Sequence, residues 1–170
     1  MKSHFAIYSF AALFLLFSCK NKKLKEFELT TDTLSVVIHS PVYFGNNTTL
    51  QEIPLNMDSV GLALKINPKI IHYAYLEKIS IHYDTLKWKS NLEKIHFSYY
   101  NSIRNPIKVA SFENSTQQNA YTNVVKNNDV GDFFQDNSLF LLTDIYFKEQ
   151  DSSSFEMKIK MNFRLKSEKL

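Results

Sequence analysis

The chain of 170 residues contains one cysteine, three glycines and four prolines, and its longest run of apolar or small residues covers only positions 5–17. A single cysteine cannot pair within the chain, which excludes a disulfide-stapled fold. The few glycines leave no room for a glycine-rich phosphate loop, and no G-x-S-x-G or G-x-G-x-x-G motif is present. The apolar run is shorter than the roughly 20 residues that a transmembrane helix needs.

What the chain does contain is the composition of a globular domain, with 44% hydrophobic and 22% charged residues. Its net charge of +3 comes from the N-terminus, where five of the twenty basic residues precede Glu26. From Glu26 onward, 15 basic residues stand against 17 acidic ones, a formal net charge of −2. Nucleic-acid binding depends on clustered cations that release counterions, so we do not expect nucleic acid as a partner.

Residues 1–18 have the pattern of a signal peptide, because a short polar start with Lys2 precedes the apolar run. The run ends in Leu16-Phe17-Ser18-Cys19. These residues resemble a bacterial lipobox, which places a branched aliphatic residue at −3, a small residue at −1 and cysteine at +1. The resemblance implies that Cys19 becomes the first residue of the mature chain and carries acyl chains. An ordinary secreted protein and a transmembrane anchor are the alternatives.

Residues 19–25 would then form a lipidated tether with four lysines beside the lipid headgroups. Near anionic lipid, each lysine adds roughly 1 kcal/mol of attraction. Lys20 stands where an aspartate would resemble an inner-membrane retention signal, which favours the outer membrane. The basic tether also lacks the acidic residues that resemble the surface-export tag of Bacteroidota lipoproteins, which favours the periplasmic face.

Residues 26–170 are predicted to form one all-β domain. Over residues 155–165 apolar and polar residues alternate strictly, which is typical of a strand with one buried face. We expect a single antiparallel β-sandwich of the immunoglobulin-like kind, with a partly closed β-barrel as the alternative. Turns are predicted at Asn46-Asn47 and Asn105-Pro106, and a helical turn capped by Asp129 at 129–135. The other predicted strands cover residues 34–39, 60–66, 76–83, 92–99, 107–112 and 139–148.

Two of these strands repeat a short pattern, since Leu76-Glu77-Lys78-Ile79 recurs as Leu92-Glu93-Lys94-Ile95. With the segment Val130-Gly131-Asp132-Phe133-Phe134 and the two closing strands, residues 76–165 resemble small all-β lipoproteins of Bacteroidota. That family has no assigned activity, so the resemblance implies an envelope lipoprotein and supplies no catalytic residue.

Candidates for chemistry are few. His82 and His96 have the same polar parity and would approach diagonally if their strands were neighbours. A structural zinc site needs four ligands, so we expect no metal and no cofactor. Asp129, Asp132 and Asp136 lack calcium-loop spacing and are predicted to cap turns.

Two aromatic residues are candidates for ligand or interface contacts. Trp88 shares a strand parity with Leu86, which predicts a plug at one end of the domain, and a ligand-stacking ring is the alternative. Tyr100 follows Tyr99 and should face outward, where it would suit an interface.

Three Asp-Ser/Thr-apolar triplets resemble the general O-glycosylation motif of Bacteroidota. They place the candidate hydroxyls on Thr33, Ser59 and Thr85. An aspartate before threonine is also a common entry into a strand, which is the alternative interpretation.

Together these patterns predict a lipid-anchored, non-catalytic binding, scaffold or assembly component of the cell envelope. Its expected partners are the bilayer, through acylated Cys19, and another envelope protein. One alternative is a carrier that holds an apolar ligand in a cavity of about 300–1,000 Å³. A further alternative is an envelope hydrolase, which requires a concave cluster of histidine or carboxylate side chains.

Overall fold

The computed structural model describes residues 24–101, 103–114, 121–125, 128–135 and 139–169. The predicted signal peptide, Cys19 and Asp136 lie outside these residues. The described chain is all-β, with antiparallel sheets and no closed barrel. Its strands are β1 (Lys25–Thr30), β2 (Leu34–Ile38), β3 (Gly45–Glu52), β4 (Ile66–Tyr83), β5 (Leu92–Asn101), β6 (Arg104–Glu113), β7 (Tyr121–Val124), β8 (Phe140–Phe147) and β9 (Phe155–Lys169).

Three short helices join these strands: α1 (Met57–Leu64), α2 (Thr85–Trp88) and α3 (Gly131–Gln135). The predicted strand over residues 60–66 is wrong, because most of this segment is α1. Met57, Val60 and Leu64 have helical spacing, and the side chain of Asn56 accepts a hydrogen bond from the Ser59 amide at 3.0 Å. That cap satisfies an amide that the first helical turn leaves free, so this segment forms a helix in spite of its alternating apolar residues.

The last strand organises one sheet. β9 pairs with β4 along one side, while β1 and β2 follow one another along its other side. The alternation predicted for residues 155–165 is confirmed, since every odd-numbered side chain there is buried. The buried parity continues to Ser167, whose hydroxyl donates to the carbonyl oxygen of Ile70 at 2.7 Å.

The second sheet has the strand order β3-β8-β5-β6-β7. The strand predicted over residues 139–148 is β8, and it lies between β3 and β5. Both asparagine turns are wrong, because Asn46-Asn47 lies in β3 and Asn105-Pro106 lies in β6. Strand β7 pairs only with residues 110–113 of β6, so Pro106 needs no ladder partner on that side.

The repeated Leu-Glu-Lys-Ile segment encodes the same irregularity in both sheets. The register of β4 against β9 shifts between Leu76 and Lys78, and that of β5 against β8 shifts between Leu92 and Lys94. A β-bulge adds one residue to a strand, so residues three apart then face the same side. The leucine and isoleucine of each copy are accordingly both buried.

Aromatic rings connect the two sheets. The ring of Tyr99 in β5 lies 5.9 Å from that of Phe163 in β9, and Phe147 in β8 lies 5.3 Å from Phe155 in β9. The hydroxyl of Tyr99 also contacts Met161 Sδ at 3.4 Å. The inner faces of the two sheets therefore share one apolar core.

The sheets have two ends. At the entry end, β1 begins at Lys25 opposite Ser167, and the same end carries α1, α3 and the β5–β6 turn. At the far end, β9 begins at Phe155, β8 ends at Phe147, and α2 joins β4 to β5. Since β9 spans twelve steps from Phe155 to Ser167, the two ends are about 40 Å apart.

Lys65, which ends α1, provides a direct test of backbone strain. It has the left-handed conformation (φ 55°, ψ 47°), and its amide donates to the Gly61 carbonyl oxygen. Because a side chain is disfavoured in this conformation and glycine is not, Lys65→Gly should raise the free energy of unfolding by about 1 kcal/mol. Urea denaturation measures this change. Lys65→Ala keeps the Cβ and should give no comparable gain; lower stability in Lys65→Gly would contradict the argument.

Candidate functional site

The histidines do not form a common site. His82 lies in β4 and His96 in β5, in different sheets, so the predicted diagonal approach is wrong. The reason is that β4 pairs with β9, whereas β5 pairs with β6 and β8. His72 Nε2 lies 3.7 Å from Glu168 Oε1. Within the described segments, no group of three or more His, Cys, Asp or Glu side chains could hold a metal ion.

A polar and aromatic band crosses the outer face of the five-stranded sheet. Asp144 Oδ1 accepts hydrogen bonds from Thr48 Oγ1 at 2.6 Å and from Asn46 Nδ2 at 3.4 Å. Tyr146 lies beside it, with its ring 5.4 Å from that of His96 and 4.6 Å from Lys94 Nζ. Asp144 faces His96 across the ladder but is engaged by β3.

The charged form of His96 is disfavoured in this band. Partial burial lowers its pKa, and the nearby positive charges of Lys108 and Lys94 lower it further, against weaker opposing effects of Asp144 and Glu113. His96 is therefore neutral at pH 7 and acts here as an aromatic neighbour of Tyr146.

Trp88 belongs to the core of the far end. Only 2% of its surface is exposed, and its ring lies 5.4 Å from that of Phe147 and 5.3 Å from that of Phe155. The plug interpretation fits this burial, and little of the ring is accessible to a ligand. Leu86 is exposed although Trp88 is buried, because α2 is a helix and side chains two residues apart on a helix point in different directions.

Tyr99 and Tyr100 lie on opposite faces of β5. Tyr99 is fully buried, and burial raises its pKa well above the usual value for tyrosine. Tyr100 is half-buried on the outer face, directly opposite Phe140 of β8. It is thus placed where a second molecule could touch it, at the edge of the outer face nearer the entry end.

Three large apolar side chains protrude at the far end: Tyr43, Phe44 and Leu86, which we call the far-end surface. Phe44 is 75% exposed and Leu86 is 99% exposed. The two segments that carry them both contact Phe147. Gly45 pairs with Phe147 in the sheet, and the Trp88 ring packs on the Phe147 ring. Exposed large apolar side chains at one end of a domain are candidates for an interaction site.

The β2–β3 segment that carries Tyr43 and Phe44 is fixed by Asn47. Its side-chain oxygen accepts from the Tyr43 amide at 3.0 Å, and its side-chain nitrogen donates to the Tyr43 carbonyl oxygen at 2.8 Å. Val42 is buried and pairs with Asp151 through two backbone hydrogen bonds of 2.8 and 2.9 Å. Ordered backbone beneath exposed rings reduces the entropy lost when a partner binds.

Helix α2, which carries Leu86, is fixed in the same way. Asp84 Oδ1 accepts from the amides of Leu86 at 3.1 Å and Lys87 at 3.3 Å. Asn91 follows the helix and binds the β8–β9 loop, because its side chain donates to the Glu149 carbonyl oxygen and accepts from the Glu149 amide. Sequence reasoning missed the far-end surface; the adjacent aromatic residues after Pro41 were its only local signal.

The three candidate glycosylation residues are widely separated. Thr33 is exposed between β1 and β2, and Ser59 is exposed in the first turn of α1. Thr85 is the first residue of α2, at the far end. Asp84 caps that helix, which gives the third triplet a structural role of its own.

The aspartates near α3 have structural partners. Helix α3 starts at Gly131, and the cap predicted for Asp129 is confirmed, because Asp129 Oδ1 accepts from the Gly131 amide at 2.9 Å. The same oxygen accepts from the Ala74 amide at 3.0 Å. Asp132 pairs with Arg104 Nη1 at 2.6 Å.

In the part of the chain that the structure describes, no helix has the length and apolarity required to cross a membrane. Comparisons of the chain with protein-family models, with curated proteins and with solved structures find no match.

Proposed function

We propose that this chain is a lipid-anchored protein of the bacterial outer membrane whose immunoglobulin-like β-sandwich faces the periplasm. It binds another envelope protein as a scaffold or assembly component and catalyses no reaction. One observation carries the proposal: the chain enters the domain at one end, and the far-end surface lies about 40 Å away at the other. An acylated Cys19 would hold the first end at the membrane and present the second to a partner.

The ring contacts across the core support the sandwich and weigh against a carrier. Tyr99 meets Phe163, Trp88 meets Phe155, and Phe134 of α3 lies 5.0 Å from Phe163. A carrier needs a cavity where these rings lie, whereas a binding module needs a rigid, filled core. The buried aromatic side chains therefore serve to pack the core.

The outer-face band supports binding over hydrolysis. Asp144 accepts hydrogen bonds from Thr48 and Asn46, and the His96 ring lies 5.4 Å from that of Tyr146. A general base normally has an orienting partner within hydrogen-bond reach of its ring. The band instead provides aromatic rings and hydrogen-bonding groups, which suit a protein contact.

Site-specific photo-crosslinking in intact cells tests the proposal. Phe44→benzoylphenylalanine and Leu86→benzoylphenylalanine should each yield an adduct with the same envelope protein. Leu62 of α1 offers a matched control, because it is also an exposed leucine but lies at the entry end. The same probe at position 62 should not capture that protein.

A second variant separates binding from folding. Phe44→Ser should remove the adduct formed from position 86 while the melting temperature stays unchanged, because the Phe44 ring is mostly in solvent. Equal capture from positions 44 and 62, or an undiminished adduct in Phe44→Ser, would contradict docking through the far-end surface.

A further inference from the structure

Large apolar side chains also protrude at the entry end. Ile103 in the β5–β6 turn is 80% exposed and Leu62 in α1 is 78% exposed, and both Leu24 and Ile70 are partly exposed. Four separate segments contribute these residues. Isolated exposed apolar residues are ordinary, but several gathered at one end of a domain indicate a contact surface.

These residues lie next to the point where the tether joins the domain. Lys25 is opposite Ser167, and the Ser167 hydroxyl binds the Ile70 carbonyl oxygen, so Ile70 and Lys25 flank β9. Cys19 precedes Leu24 by five residues. Even fully extended, five residues reach about 18 Å. An acylated Cys19 would therefore keep the entry end within about 18 Å of the bilayer surface.

The charges of the entry end permit contact with anionic lipid. Three acidic groups there have a basic neighbour: Glu26 with Lys166 at 3.0 Å and Glu168 with His72 at 3.7 Å, while Asp132 binds Arg104. Among the described residues, the cations here without an ion pair within 4 Å are Lys25, Lys65 and Lys69, and the carboxylates are Glu52, Asp58 and Asp129. The folded part of this end is therefore close to balanced in charge, and the tether lysines at 20, 22 and 23 add positive charge to it.

Two tyrosines complete the pattern of a membrane interface. The rings of Tyr73 and Tyr75 stack at 6.3 Å in the middle of β4, opposite Lys166 and Arg164 of β9, and Tyr73 is exposed. Tyrosine is enriched at the headgroup level of membranes, because its ring is apolar and its hydroxyl is polar.

We propose that the entry end is a membrane-contact surface, in which Leu62, Ile70 and Ile103 touch the phospholipid leaflet that holds Cys19. The domain then stands on the bilayer with the far-end surface directed away from it. This inference rests on the proposed lipid anchor, and it adds that the folded domain itself binds lipid.

A matched pair of labelled variants tests this contact on the full-length lipidated protein. Leu62→Cys and Leu86→Cys each replace an exposed leucine on a short helix, at opposite ends of the domain. Since Cys19 is acylated, each variant has one thiol for an environment-sensitive fluorophore. The protein is placed in vesicles of phosphatidylethanolamine and phosphatidylglycerol, with and without brominated acyl chains that quench on contact. The label at position 62 should lose most of its fluorescence in brominated vesicles, and the label at position 86 should lose none.

The outcomes distinguish this inference from the function on which it rests. If the protein floats with the vesicles but neither label is quenched, or both are quenched equally, the contact surface is overturned and the anchor stands. If the protein does not float with the vesicles, the anchor fails and the inference fails with it. An Ile103→Cys label, placed on a different segment, should follow the label at position 62.

Discussion

Replacement of Ile159 by aspartate is expected to unfold the domain. Ile159 is fully buried in β9, where it lies between Leu34 of β2 and Ile81 of β4 in the register of the sheet. An unpaired carboxylate at this position loses the apolar packing and must be desolvated, which together should cost about 4–5 kcal/mol or more. Whole domains have stabilities of about 5–15 kcal/mol. Thermal denaturation followed by circular dichroism measures the loss.

The neighbouring residue provides the control. Lys160 lies on the opposite, exposed face of the same strand, so Lys160→Asp should change the stability by less than about 0.5 kcal/mol. Equal stability of the Ile159→Asp and wild-type proteins would mean that the parity of β9, and with it the sheet register, is wrong.

Replacement of Cys19 by alanine should move the protein from the membrane fraction to the soluble fraction. The proposed acyl group has no other attachment site, since it needs a thiol and this is the chain's single cysteine. Burial of acyl chains contributes about 0.8 kcal/mol per CH₂, so two or three chains give stable attachment. Fractionation and metabolic labelling with an alkyne fatty acid measure the change.

Ser18→Ala is the matched control for that experiment, because it keeps the small residue that the lipobox pattern requires before the cysteine. This variant should remain membrane-bound and labelled. If Cys19→Ala stays in the membrane fraction, the lipid anchor is not what holds the protein there.

The strands with a clear period could be predicted from the sequence. In β9 each side chain from Phe155 to Leu165 follows the period of two, because the strand lies between two neighbours and packs one face on the core. The prediction of a strand over residues 60–66 was wrong because Val60, Leu62 and Leu64 place large apolar residues at every second position, which is the period of a strand. Only the Asn56 cap and the spacing from Met57 distinguish a helix there, and such local hydrogen bonds compete closely with a strand of this length.

The repeated Leu-Glu-Lys-Ile segment shows where sequence reasoning stops. It predicted two similar strands, which the structure confirms, but not which sheet each would join. Sequence similarity specifies the bulge that turns Leu76 and Ile79 to one side. Pairing partners depend on contacts between distant residues, so the expected neighbourhood of His82 and His96 did not form.

The far-end surface could not be predicted because exposure at a loop is decided by tertiary structure. Tyr43 and Phe44 have the composition of core residues, yet Asn47 and the Val42–Asp151 bridge hold their segment outside the core. Leu86 and Trp88 are both large apolar residues, but Leu86 is exposed and Trp88 is buried, because side chains two residues apart on a helix point in different directions.

The most direct test of the whole account is the intact mass of the protein purified from membranes of its native cells. We predict a chain that begins at Cys19 and carries a diacylglyceryl group, with or without a further N-acyl chain. A mass that includes residues 1–18, or a chain with an unmodified thiol at position 19, would contradict the lipid anchor and remove the basis for both proposals.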